Sequence, residues 1–99
     1  MARVHGVSMH PGLRDGDRLV VVHDVPARVG DVVVARLPDT TVALKRIESI
    51  DEAGVWLASD NASVGWSSRA WGCPVARDDV LAVARFRLWP TPRVIRRST

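Results

Sequence analysis

The sequence predicts a mostly β domain with little helix. Short Val- and Leu-rich runs recur at close intervals. Gly, Pro and Asp punctuate the gaps between them. No segment sustains the 3.6-residue apolar period of an amphipathic helix.

In chain order, residues 1–5 are too few to form a unit of their own. Gly6 to Asp17 packs Gly6, Pro11, Gly12 and Gly16 into one short span. Such a span cannot be a helix interior, so Ser8 is expected on a tight loop shaped by its backbone. Arg18–His23 is a β-branched run and reads as a strand. A loop follows to Gly30. Asp31–Arg36 is a second Val-rich strand. Pro38-Asp39-Thr40 turns into a third, Thr41–Ile50. Asp51 to Gly54 turns into a short fourth, Val55–Ala58. Ser59 to Arg77 reads as a polar loop carrying Trp66 and Trp71. Asp78-Asp79 leads into a last strand, Val80–Leu88. The tail from Trp89 holds two prolines and three arginines and is expected to be extended or loose. One domain over 1–90 with a basic tail over 91–99 is the expected organisation.

Composition narrows the function classes. Ninety-nine residues allow one modest core, and 46% apolar content suits a folded chain. The longest apolar run, Leu19–Val22, is far too short to cross a bilayer. No charged n-region followed by an apolar stretch opens the chain, so a cytoplasmic protein is expected. The lone Cys73 can form no intrachain disulfide and reads as a small loop residue.

The charge pattern singles out one residue. Thirteen arginines accompany a single lysine, Lys45. Arginine keeps its proton in a protein, whereas a desolvated lysine can lose it. On the third strand Lys45 shares a face with Ala43 and Ile47, while Val42 and Leu44 point the other way. Apolar residues on both faces mark an inner strand. A lysine there either snorkels to solvent or is partly desolvated. A general base at neutral pH needs the second state. Moving a lysine from about 10.4 to about 7.5 takes roughly 4 kcal/mol of differential stabilisation.

Five boxes now stand in order along the chain. Gly6-Val7-Ser8-Met9-His10-Pro11-Gly12-Leu13 resembles the G-x-S-M-x-P-[TG]-L box of the type I signal peptidase and LexA-like serine proteases. Gly16-Asp17-Arg18-Leu19-Val20-Val21 is similar to the G-D-x-[VL]-x-V box that follows it. Gly30-Asp31-Val32-Val33-Val34 resembles the second Gly-Asp strand. Ala43-Leu44-Lys45-Arg46-Ile47 resembles the segment with the family's lysine. Ser59-Asp60-Asn61 with Ser67-Ser68-Arg69-Ala70-Trp71-Gly72 is similar to the late G-D-N…D-S-R box. The resemblance implies coiled β-sheets around a small barrel-like core.

It also implies a Ser-Lys dyad. Ser8 would be the nucleophile and Lys45 the general base. Gly6 and Met9 would shape the oxyanion and substrate loop, with the Ser8 backbone N–H facing the oxyanion. Arg46, Asp60 and Ser68 would support the dyad, Arg46 and Asp60 as an ion pair. No cofactor or metal is implied. The partner is a protein or peptide substrate, and among compact soluble members the resemblance is nearest to the proteases that mature nickel superoxide dismutase. Seven residues before Ser8 hold neither a helix-turn-helix nor a self-cleavage site, so cleavage in trans is expected. Processing of exported proteins, as by signal peptidase, is the alternative.

Three positions depart from the family pattern. Ser59 stands where the late box opens with glycine. The serine that would hydrogen-bond the lysine falls at Gly65, leaving Ser63 or Ser68 to substitute. Ser67 replaces an aspartate, which leaves Arg69 without its family partner.

Other readings are weaker. His5, His10 and His23 offer no convincing Ser-His-Asp arrangement, and with Cys73 they show no metal-ligand spacing. Arg85, Arg87, Arg93, Arg96 and Arg97 with Trp89 form a basic end. No nucleic acid is expected there; peripheral contact with anionic lipid is the second use for such an end. A catalytically idle binding domain is the remaining alternative. Nothing in the sequence speaks to oligomeric state.

Overall fold

A computed structural model describes residues 2–4, 9, 12–61 and 67–95. It contains β1 (Ala2–Arg3), β2 (Arg18–His23), β3 (Val32–Arg36), β4 (Val42–Asp51), β5 (Gly54–Ala58), α1 (Ser68–Trp71), a 3₁₀ turn (Arg77–Asp79), β6 (Val80–Trp89) and β7 (Arg93–Val94). The fold is mostly β, and all strand pairs are antiparallel. The sheet runs β1-β2-β6-β3-β4-β5, with β7 added to β6. Register shifts in β2–β6, β3–β6 and β4–β5 coil it.

Two turns with one sequence pattern start the first two long strands. Arg14-Asp15-Gly16-Asp17 and Arg28-Val29-Gly30-Asp31 both read Arg-x-Gly-Asp. In each, the Asp backbone N–H donates to the Arg carbonyl at 3.0 Å. In each, the Asp carboxylate accepts from the Arg backbone N–H, at 3.0 and 2.9 Å. Gly16 and Gly30 sit at φ 90° and 91°, where a Cβ would be strained. Asp17 and Asp31 are buried. Arg87 of β6 reaches the Asp17 carboxylate at 3.5 Å and ties the first turn to that strand.

Alternation along the strands sends side chains into two cores. Val33, Ala35, Leu37, Ile47, Val55, Leu57, Val75 and Val83 form one. Val4, Met9, Leu13, Leu19, Val32 and Ala84 form the other. Val32 and Val33, like Val83 and Ala84, are sequence neighbours facing different cores.

Two segments differ from the sequence-based expectation. Within Ser59–Arg77, residues 68–71 form a helical turn. Ser67 caps it by accepting from the Ala70 backbone N–H, and Gly72 at φ 93° ends it. A single turn has no room for the apolar period that betrays longer helices. The tail is not loose throughout: β7 pairs with β6, Phe86 opposite Val94 and Arg87 opposite Arg93. Ile95 packs against the second core. The turn that allows this return contains a cis Trp89–Pro90 bond.

The β4–β5 hairpin supplies a stability test. Gly54 adopts φ 141°, and a Cβ there would lie 2.4 Å from the Val75 carbonyl oxygen. That carbonyl accepts from Val55 N–H, and Val75 N–H returns a bond to Val55. Gly54→Ala is therefore expected to destabilise the domain by about 1–3 kcal/mol, read as a lower midpoint in urea. An unchanged midpoint would mean that the bridge yields freely.

Candidate functional site

Lys45 lies near the middle of β4, paired with Val33 of β3. β4 is an inner strand between β3 and β5. The side chain is only 3% exposed. Burial pushes its pKa below the ordinary 10.5, because the low-dielectric surroundings penalise the ammonium.

The amine has a fixed partner. Lys45 Nζ donates to Ser59 Oγ at 2.9 Å. Ser59 follows β5 directly, so the strand sets its place. The neighbouring residues are joined as well. Arg46 Nε donates to Asp60 Oδ1 at 3.0 Å, and Nη2 to Oδ2 at 2.6 Å. Arg46 Nη1 also donates to the Gly30 carbonyl at 3.0 Å. Lys45-Arg46 thus grips Ser59-Asp60, residue for residue. The forked, mostly covered Arg46–Asp60 pair holds geometry in a way a solvated ion pair would not. It anchors the start of the late loop to β4 and to the turn before β3.

The other expected site residues fall as follows. Gly6 and Ser8 lie outside the described residues, as do Ser63 and Gly65. Met9 is 1% exposed and packs in the second core with Leu13 and Leu19. Its carbonyl accepts from the Leu13 backbone N–H at 3.0 Å. The residue that follows Ser8 in the chain is therefore a core anchor, packed beneath the turn that leads to Leu13.

Ser68 is fully buried, but its described bond serves packing. Its Oγ accepts from the Leu57 backbone N–H at 2.9 Å and docks α1 on β5. Among the described residues, the hydroxyl that accepts from Lys45 is that of Ser59. Arg69 is not stranded by the serine at position 67 either. It pairs with Glu48 and stacks over the Trp56 ring at 5.6 Å. Each residue of Ser67-Ser68-Arg69 thus fastens the late segment: one caps, one docks, one pairs.

Ser59 is the site residue that sequence reasoning misses. Its signal was present, a serine where the related box opens with glycine. Only the end of β5 shows that this hydroxyl reaches the lysine.

A hollow of about 520 Å³ is bounded by Gly12, Leu13, Val32, Arg46, Asp60 and Arg93–Ile95. Strand alternation puts Arg46 and Lys45 on opposite faces of β4, so this space lies across the strand from the amine. His23 is exposed, and no cluster of three His, Cys, Asp or Glu suited to a metal occurs among the described residues.

The Peptidase S24-like family profile matches residues 1–67. The chain belongs to that family. A LexA repressor of Tolumonas auensis is 49% identical over 49 residues, 48% of this chain and 24% of that protein. LexA repressor 1 of Pseudomonas syringae pv. tomato is 44% identical over 62 residues, 62% of this chain and 30% of that protein. A LexA repressor of Pseudomonas chlororaphis is 45% identical over the same length. The chain thus spans about a quarter to a third of these relatives. No solved structure matches it. The S24-like match overlaps the Ser8 loop, both Arg-x-Gly-Asp turns, Lys45-Arg46 and Ser59-Asp60. It supports the LexA-like side of the expected resemblance, not the dismutase-maturing group.

Proposed function

We propose that this S24-like domain is a serine endopeptidase working through a Ser8–Lys45 dyad. The observation that carries the reading is the buried, charge-disfavoured Lys45 amine held by Ser59. Neutral Lys45 takes the Ser8 hydroxyl proton as the oxygen attacks a peptide carbonyl. The lysine then returns that proton to the departing amine, leaving an acyl-serine. Water, deprotonated by the same amine, attacks the ester and frees Ser8. The Ser8 backbone N–H faces the oxyanion. Ser59 orients Lys45, and the Arg46–Asp60 clamp holds Ser59 in place. No cofactor enters these steps.

The substrate is a protein segment cleaved in trans, such as an N-terminal extension. Maturation of nickel superoxide dismutase is one instance, offered by analogy with compact proteases alone. The experiment is digestion of a diverse peptide pool by the purified chain, with products mapped by mass spectrometry. Recurrent cleavage at one residue pattern is the expected result. Cuts only within the chain itself would replace the trans reading with self-cleavage. No cut in either would leave a binding domain and end the peptidase proposal.

A further inference from the structure

The β2–β6–β7 end of the sheet has an uncovered face. On β2, Leu19 and Val21 turn inward to the second core, so Arg18, Val20 and Val22 point outward. All three are exposed. Register extends the face across the sheet. Val20 lies opposite Phe86, and Phe86 opposite Val94. Arg18 lies opposite Trp89, with its guanidinium 5.7 Å from the ring centroid. Trp89 is 55% and Val94 65% exposed. Arg85 is exposed beside this row. β2, β6 and β7 contain no Asp or Glu.

We propose that this face docks on an anionic lipid surface. Three features select that occupant. An exposed tryptophan suits the boundary between headgroups and acyl chains. The row Val20–Phe86–Val94 gains by leaving water, as an interfacial apolar surface does. The outward arginines offer positive charge to lipid phosphates, with no acidic residue on these three strands. A nucleic acid would use the arginines, Trp89 and Phe86 but has no use for Val20 and Val94. A second copy on the same face would bring like charges together.

The test is co-sedimentation of the purified chain with phosphatidylcholine vesicles, with and without phosphatidylglycerol. Binding is expected only with phosphatidylglycerol and should weaken as salt rises. Arg18→Gln is expected to reduce it about fivefold, and Val94→Ser several-fold, with circular dichroism unchanged. A blue shift of tryptophan emission on binding should disappear in Trp89→Phe. Absence of phosphatidylglycerol-dependent binding overturns the proposal. So does binding unaffected by both Arg18→Gln and Val94→Ser, equal or tighter binding to a single-stranded oligonucleotide, or self-association lost in Val94→Ser. Peptide cleavage plays no part in this readout, so it stands apart from the peptidase reading.

Discussion

Replacing Ser8 with alanine, or Lys45 with methionine, is expected to lower peptide turnover by about 10³-fold each, within the range set by losing a positioned proton acceptor. The double variant should be no slower than either single one. A nucleophile and its base act as a unit, so the second loss removes nothing that the first has left. Multiplying losses would show that the two residues act separately. Lys45→Met carries a second signature. The folded-state pKa of Lys45 lies below its ordinary 10.5. Between the two values the unfolded chain binds more protons, so stability rises with pH across that window. Below the window the full cost of a buried ammonium applies. Methionine has similar length and no charge, so Lys45→Met should melt no lower than the parent at neutral or acid pH. A variant that is inactive and at least as stable identifies a residue kept for chemistry. A clear drop in melting temperature would mean that the ammonium is well solvated or paired, and would remove the support for a neutral base.

Ser59→Ala is expected to lower kcat about tenfold with little change in KM, since orientation of the base matters in the transition state. The pH profile separates this from loose packing. Turnover needs neutral Lys45, so it rises with pH through the lysine pKa. The Ser59 oxygen accepts from Nζ at 2.9 Å, and it stabilises an ammonium more than an amine. Its loss should move the acidic limb of the profile to lower pH while the plateau falls. Ser59→Thr, which keeps the hydroxyl, should restore much of both. If kcat and limb position both stay put, Ser59 does not position the base. A lower plateau with an unmoved limb would indicate that only packing was disturbed.

The strands were legible because their cause is local. β-Branched runs between Gly-Asp and Pro punctuation mark β2 to β6 within a residue or two of their observed ends. The burial of Lys45 was open to either outcome. Alternation showed that apolar residues flank it on both faces, but only β3 and β5 on either side of β4 enclose it. The Arg46–Asp60 pair was anticipated from the boxes, and the observed fork agrees. α1 was missed because one capped turn leaves no periodic trace. The return of β7 was missed because its partner, β6, lies on the other side of a proline turn.

Local chemistry alone was enough to specify the turns, the strands, the isolated lysine and the order of the boxes. Each depends on residues adjacent along the chain, or on composition. The partner of the amine was settled by assembly. Ser59 and Lys45 are fourteen residues apart, and several hydroxyls in the late segment had similar claims. Pairing of β4 with β5 brings one of them to the nitrogen, while packing of α1 commits Ser68 to Leu57. The same assembly leaves Val20, Val22 and Val94 exposed at one end of the sheet, with no described element packed over them. Which hydroxyl meets the amine, and which valines meet solvent, are properties of the packed sheet rather than of any segment within it.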